Sequence, residues 1–256
     1  MAAENFERAL AEVFGHEGGY TADLRDAGNW TSGKRGVGQL KGTKYGISAA
    51  AFPYLDIKNL TVKQAGEIYR ERYWKVVGGD TLEPGVDLAV FDAAVNSGVS
   101  RARKWYASAR THYPIETVKR LCDMRRSFVQ GLSSFRVYGK GWLSRIARIE
   151  AVGTRWVLEQ RFGLPAQAVK KHLTGRAEEA AAKSAETARQ AKRAGGGTVV
   201  INAAVGATDT GLEGSALVLT LTAILLMGGL IAALALHRSR AKREAAKAYA
   251  EQAALL

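Results

Sequence analysis

The sequence predicts a mainly α fold with one small β or loop-rich lobe, followed by a helical spacer and one C-terminal transmembrane helix. Three observations predict it. Apolar residues recur at helical spacing through most of residues 1–175. Residues 18–48 interrupt that spacing and hold eight of the chain's 28 glycines. Residues 215–236 (SALVLTLTAILLMGGLIAALAL) run for 22 residues without a charge.

Each element has its own signal. Phe6, Leu10, Val13 and Phe14 form one stripe, ended by Gly15 and the Gly18-Gly19 breaker. The glycine-rich stretch that follows suits a hairpin and irregular loops. Thr61 and Gln64 make a capping-box signature ahead of Val62, Ala65, Ile68 and Tyr69. Val86–Val95 reads as a short apolar helix closed by Asn96-Ser97-Gly98. Val118, Leu121, Cys122, Arg125 and Phe128-Val129 continue the helical pattern, as do Leu143, Ile146, Ile149 and Val152–Trp156. Cys122 reads as a small core residue.

Beyond residue 175 the composition changes. Residues 176–194 are Ala-rich with both signs of charge, which fits an exposed helical spacer. Gly195–Gly214 reads as a flexible linker, with Thr198–Ile201 a candidate short strand. As a helix of about 1.5 Å per residue, 215–236 would span ~33 Å, enough for a hydrocarbon core of about 30 Å. Five Lys/Arg follow it within 237–256, so the positive-inside bias puts this tail in the cytoplasm and the preceding chain in the periplasm. The acidic N-terminus MAAENFERALAEVF is not that of a signal peptide, so the alternative is a chain held on the cytoplasmic face until the membrane is permeabilised. The expected domains are 1–98, 99–175, the spacer and linker 176–214, the membrane run 215–236 and the basic tail 237–256.

Composition excludes several classes. One Cys rules out a disulfide framework, and with four His leaves little for a structural zinc site. A 47% hydrophobic share excludes disorder throughout. The net charge of +13 is unevenly spread. Residues 1–98 carry 11 basic and 13 acidic side chains, whereas 99–175 carry 16 basic and only 4 acidic. That middle segment is either a solvated helical surface or one that faces a polyanion. No phosphate-binding loop, Ser-His-Asp arrangement or metal site stands out, and no cofactor is expected.

The string His16-Glu17-Gly18-Gly19-Tyr20 sets a carboxylate where a helix stops, beside glycines that allow close backbone approach. Burial beside apolar groups would keep such a carboxyl protonated and make it a general acid; the alternative is a solvated helix-end Glu. Asp26 follows nine residues later in Arg25-Asp26-Ala27-Gly28-Asn29, then Thr43 in Gly42-Thr43-Lys44-Tyr45-Gly46-Ile47-Ser48. That order suits glycan cleavage, in which one carboxyl protonates the leaving oxygen and a second group positions water or stabilises the oxocarbenium-like charge.

Here the chain resembles glycoside hydrolase family 108, the phage and prophage muramidases. Glu17–Tyr20, Asp26–Asn29 and Thr43–Ile47 match its three motifs. Ile68-Tyr69-Arg70, Tyr73-Trp74 and Phe91–Gly98 match further, and the likeness runs into a helical peptidoglycan-associated domain near 99–175. The resemblance implies a lysozyme-like α+β domain over 1–98 and an endolysin-type N-acetylmuramidase. Its substrate would be peptidoglycan, not nucleic acid, with a holin-like membrane permeabiliser as a candidate partner. The location inferred is the host inner membrane, crossed once.

Glu17, Asp26 and Thr43 are the implied catalytic residues, and Tyr20, Tyr45, Asn96, Tyr73 and Trp74 the implied substrate contacts. Aromatic residues at helical spacing also suit a core. Asn96 either meets an N-acetyl group or caps its helix, and Asp92 reads as a buried hydrogen-bonding partner. An insertion at about Trp30–Lys41, with Lys34, Arg35 and Lys41, departs from the shorter family pattern. It is a cleft lip or a longer surface loop. The competing functions are a lytic transglycosylase and a wall-binding or secretion-assisting protein.

Overall fold

The structure, a computed structural model, describes residues 5–15, 19–205, 235 and 238–256. It is mostly helical, with one two-stranded antiparallel ribbon among the described residues. The chain divides into two compact units, Met1–Met124 with Gln160–Phe162 and Arg125–Glu159 with Gly163–Leu256. Around residue 98 the chain turns within the first unit: Gly98, at φ +87°, turns helix α4 (Val99–Ala109) back onto α3 (Val86–Ser97). Small buried residues of α4, Ala102 and Ala109, permit the close packing.

In the first unit α3 is the central helix. Every residue from Val86 to Ala94 is buried, a run that is apolar apart from Asp87 and Asp92. Helix α1 (Asn5–Phe14) packs on it and buries Phe6, Leu10 and Val13 of the expected stripe together with Ala9, while Phe14 is half-buried. Helix α2 (Val62–Tyr69) begins at the Thr61–Gln64 capping box with both reciprocal bonds made. It continues into a π-turn, Arg70–Trp74. Gly66 of α2 meets α1 closely, since a Cβ there would stand 2.8 Å from Leu10 Cδ2.

One buried acid ties α1 to α3. Asp87 Oδ2 accepts from Asn5 Nδ2 at 2.9 Å, while Oδ1 accepts from the Gly85 and Leu88 amides at 2.7 and 2.6 Å. Burial pushes its pKa up to about 6, even though these donors pull the other way.

The second unit holds the end of α5 (Pro114–Gln130), α6 (Phe135–Trp156), α7 (Ala166–Val205) and a helix over 238–254, α8. Leu143, Ile146, Ile149, Val152, Trp156 and Leu173 form its apolar core. The basic tail forms a helix from residue 238. Ala248, Tyr249, Gln252 and Ala253 form its buried face. Tyr249 donates to Glu150 Oε1 at 2.9 Å and lies 3.2 Å from the Thr154 hydroxyl. Burial first, then the charge of Glu150, drives its phenol pKa upward.

Residues 176–194 are helical as expected, but they are not wholly exposed. Ser184 Oγ donates to Ser239 O at 2.9 Å, and Lys242 Nζ donates to Thr187 Oγ1 at 3.0 Å. Helix α7 also runs on through Gly195–Gly197 to Val205, so no strand forms at Thr198–Ile201. These glycines lower helix propensity, but no proline or capping residue stops the long helix before them.

The membrane assignment is corrected. Among the described residues no helix is long and apolar enough to cross a membrane. The run 215–236 itself, apart from Ala235, lies outside the described residues. The single-pass inner-membrane location, and the holin-like partner inferred with it, therefore lack structural support.

Candidate active site

Glu17, with His16 and Gly18, lies outside the described residues. The chain on both sides of it is described. On the N-terminal side α1 delivers Phe14, whose ring stacks on Tyr45 at 5.6 Å and meets Tyr69 edge-on at 5.1 Å. Tyr69 OH donates to the Tyr45 carbonyl at 2.9 Å. Tyr73 extends this cluster from the π-turn, 5.4 Å from Tyr69.

On the C-terminal side the chain pairs with the ribbon. Strands β1 (Thr43–Lys44) and β2 (Ile47–Ser48) are joined by Tyr45 and Gly46 at φ +51° and +72°. Positive φ at both central residues is the requirement of a tight type I′ hairpin, and for a tyrosine it is a strained conformation. Thr21 and Thr43 exchange backbone bonds of 2.9 and 2.8 Å in an antiparallel bridge. Gly42, at φ +82°, sits beneath this crossing. A Cβ there would lie 2.4 Å from Thr21 O and 2.7 Å from Tyr20 Cε2. Tyr20 thus packs on bare backbone and keeps 40% of its surface exposed.

Asp26 begins a short 3₁₀ turn, Ala27–Asn29, and accepts from the Gly28 amide at 2.8 Å. It is exposed. Neighbouring Asp23 is held down to about pKa 2 by its hydrogen bonds from Arg25. Asn29 ends the turn and is fully buried. Its Nδ2 donates to Asp23 O at 3.0 Å and its Oδ1 accepts from Thr43 Oγ1 at 2.7 Å. Its carbonyl takes the Lys41 and Gly42 amides, each at 3.0 Å. Asn29 therefore joins the Asp26 turn to the Thr43 strand. Sequence reasoning missed it, although it occupies the fourth position of the Asp26–Asn29 motif.

The remaining expectations divide. Trp74 is corrected from substrate contact to core: it is 0% exposed, packs against Phe6 and Phe91 at 5.4 Å, and donates to Asp80 at 2.7 Å. A Cβ on Gly79 would come within 2.4 Å of its ring. Asn96 donates to the Asp92 carbonyl one helical turn earlier at 3.0 Å, a bond within its own helix. Asp92 is fully buried.

The Trp30–Lys41 insertion folds as an ordered loop. Trp30 bridges Leu40, and the Thr31 amide donates to Gln39 O at 3.0 Å. Trp30 Nε1 reaches back to Leu24 O at 3.1 Å, and Lys41 Nζ is taken by Pro53 O at 2.7 Å. Lys34 and Arg35 are exposed.

The Asp26 turn and the Thr43 strand are thus joined through Asn29, and the Phe14–Tyr45–Tyr69 rings pack together at the hairpin that follows. Comparison with known proteins identifies the family. The glycosyl hydrolase 108 family model matches residues 10–98. A solved structure, SagA of Brucella abortus, is 31% identical, with a TM-score of 0.52. The match covers 62% of this chain and 99% of that one. No curated protein matches. The chain belongs to glycosyl hydrolase family 108 and is a glycoside hydrolase that acts on peptidoglycan.

Proposed function

We propose that this enzyme is an N-acetylmuramidase with an endolysin-type, wall-lytic role, built on a lysozyme-like domain. It would cut the glycan between N-acetylmuramic acid and N-acetylglucosamine. Glu17 protonates the leaving oxygen, Asp26 is the second carboxyl, and Thr43 positions the attacking water. Tyr20, Tyr45 and Tyr73 offer ring faces or edges to the sugars, and Asn96 a polar contact for an N-acetyl group. The basic helical stretch in 99–175 holds the enzyme to the anionic wall.

The observation that carries this reading is the hydrogen-bonded link from the Asp26 turn through Asn29 to Thr43, inside the stretch that matches the family. It ties the turn that carries Asp26 to the strand that carries Thr43, 17 positions later in sequence. Their chemistry is that of a base and a water holder. Phe14, three positions before Glu17 in sequence, packs on Tyr45 and Tyr69 in an aromatic cluster.

Product analysis tests it. Digested sacculi should yield fragments with a reducing N-acetylmuramic acid end that borohydride converts to the alditol. Borohydride-resistant anhydro ends would mean a lytic transglycosylase instead. Reducing N-acetylglucosamine ends would mean cleavage of the other glycosidic bond.

A further inference from the structure

The buried amide of Asn29 decides which way the hydroxyl of Thr43 points. Its Nδ2 faces the Asp23 carbonyl oxygen at 3.0 Å, a group that only accepts. Flipping the amide would set two acceptor oxygens against each other in a fully buried position, a costly arrangement. The orientation is therefore determined, and Oδ1 faces Thr43 Oγ1 at 2.7 Å. Oδ1 also only accepts. The hydroxyl of Thr43 must donate its single proton to Asn29, which leaves Oγ1 only lone pairs for anything else that approaches it.

We infer that Asn29 is a positioning residue that makes Thr43 an obligate hydrogen-bond acceptor toward the attacking water. The inference rests on the muramidase reading above and deepens it. A water that donates one O–H to Thr43 turns a lone pair away from that hydroxyl and toward the anomeric carbon. As it attacks, the water oxygen bonds to that carbon and the bond from carbon to the leaving oxygen breaks. Glu17 gives its proton to the leaving oxygen, and Asp26 accepts the proton lost by the water. A Thr43 hydroxyl free to rotate would donate to the water for part of the time and occupy the lone pair that has to attack.

Asn29 has the backbone support for this task. Its own amide donates to Asp26 O at 3.2 Å, and its carbonyl receives the Lys41 and Gly42 amides, which lead directly into the strand that carries Thr43. The same residue thus sets both the separation of the turn from the strand and the direction of one proton.

The test is a double-variant cycle on kcat and KM, with thermal melts to establish folding. Thr43→Val and Asn29→Leu should each lower kcat about 10-fold or more, the scale of a misplaced reactant, with KM little changed. The double variant should be no slower than Thr43→Val alone, because Asn29 acts only through that hydroxyl. Thr43→Ser should recover most of the lost rate.

A multiplicative loss in the double variant, or a wild-type kcat for folded Asn29→Leu, would overturn the inference while leaving the muramidase reading in place. Thr43→Val at wild-type rate would remove Thr43 from the mechanism and the inference with it. The wild-type protein offers a measurement that survives if Asn29→Leu fails to fold. Its Thr43 hydroxyl proton should appear in NMR spectra as a slowly exchanging resonance close to the Asn29 side chain. A rapidly exchanging hydroxyl would contradict the assignment.

Discussion

Asp26 is exposed and gives one carboxylate oxygen to the Gly28 amide. An asparagine would keep that bond through its own carbonyl oxygen. Asp26→Asn should therefore fold normally and bind sacculi normally, yet lose turnover by about 100-fold if the group works as a base. Kinetics beside a sacculus pull-down separate the two roles, and unchanged turnover would reduce Asp26 to a turn residue. Gly42 tests the frame around it. Gly42→Ala sets a methyl group against Thr21 O and Tyr20 and forces φ +82° on an L-residue. The conformational term alone costs about 1–2 kcal/mol. A lowered melting temperature with reduced activity is the expected outcome. At this scale the Asp26 turn and the glycine-flanked Thr43 strand were legible in the sequence as local structure. Asn29 was not, because its importance lies in a contact with Thr43 that only the folded chain creates.

Among the elements, the buried tie between α1 and α3 makes a pH prediction. The pKa of Asp87 is raised to about 6, so its protonated form is favoured by folding. Its stabilisation is thus fully present below about pH 4, the range of an unperturbed Asp, and is lost as pH rises through 6. The span is on the order of 3 kcal/mol from two pKa units at most. Asp87→Asn removes this titration, so the variant should gain on wild type between pH 4 and pH 7. Paired denaturant melts at the two pH values measure it, and a difference independent of pH would contradict the assignment.

Helix α8 makes the second prediction at this scale. Tyr249 is 1% exposed and bonded to Glu150, so Tyr249→Ala should destabilise the helical unit by about 3–5 kcal/mol, as other large aromatic truncations do. Chemical denaturation reads the loss. A cost near zero would mean that α8 does not dock in solution. Helices with strong stripes or caps, α1, α2 and α3, were readable from the sequence. Helix α8 was hidden because its buried face is two alanines and a glutamine around a single Tyr, a weak apolar signal beside five Lys/Arg. Trp74 was misread for a related reason: an aromatic pair, Tyr73-Trp74, looks alike whether it faces sugar or core, and only packing against Phe6 and Phe91 distinguishes them.

For the whole molecule the useful asymmetry is electrostatic. Residues 1–98 are nearly balanced in charge, whereas 99–175 hold 16 basic against 4 acidic side chains. Arg101, Arg103 and Lys104 are exposed on α4. Peptidoglycan carries free carboxylates, so this surface should raise the local concentration of enzyme on the wall. Exposed charges are screened over about 8 Å at physiological ionic strength. Sacculus binding should weaken with added salt and with charge reversal at those three positions, whereas cleavage of short soluble fragments should change much less. Salt-insensitive binding would leave these charges as ordinary solvated surface.

The central claim is that one glutamate supplies the proton for glycan cleavage. Glu17→Gln preserves size and polarity but removes the transferable proton. Measured as the rate of sacculus lysis, beside a thermal melt that shows the variant folded, activity should fall at least ~100-fold. A folded Glu17→Gln enzyme that lyses sacculi at close to the wild-type rate would contradict it.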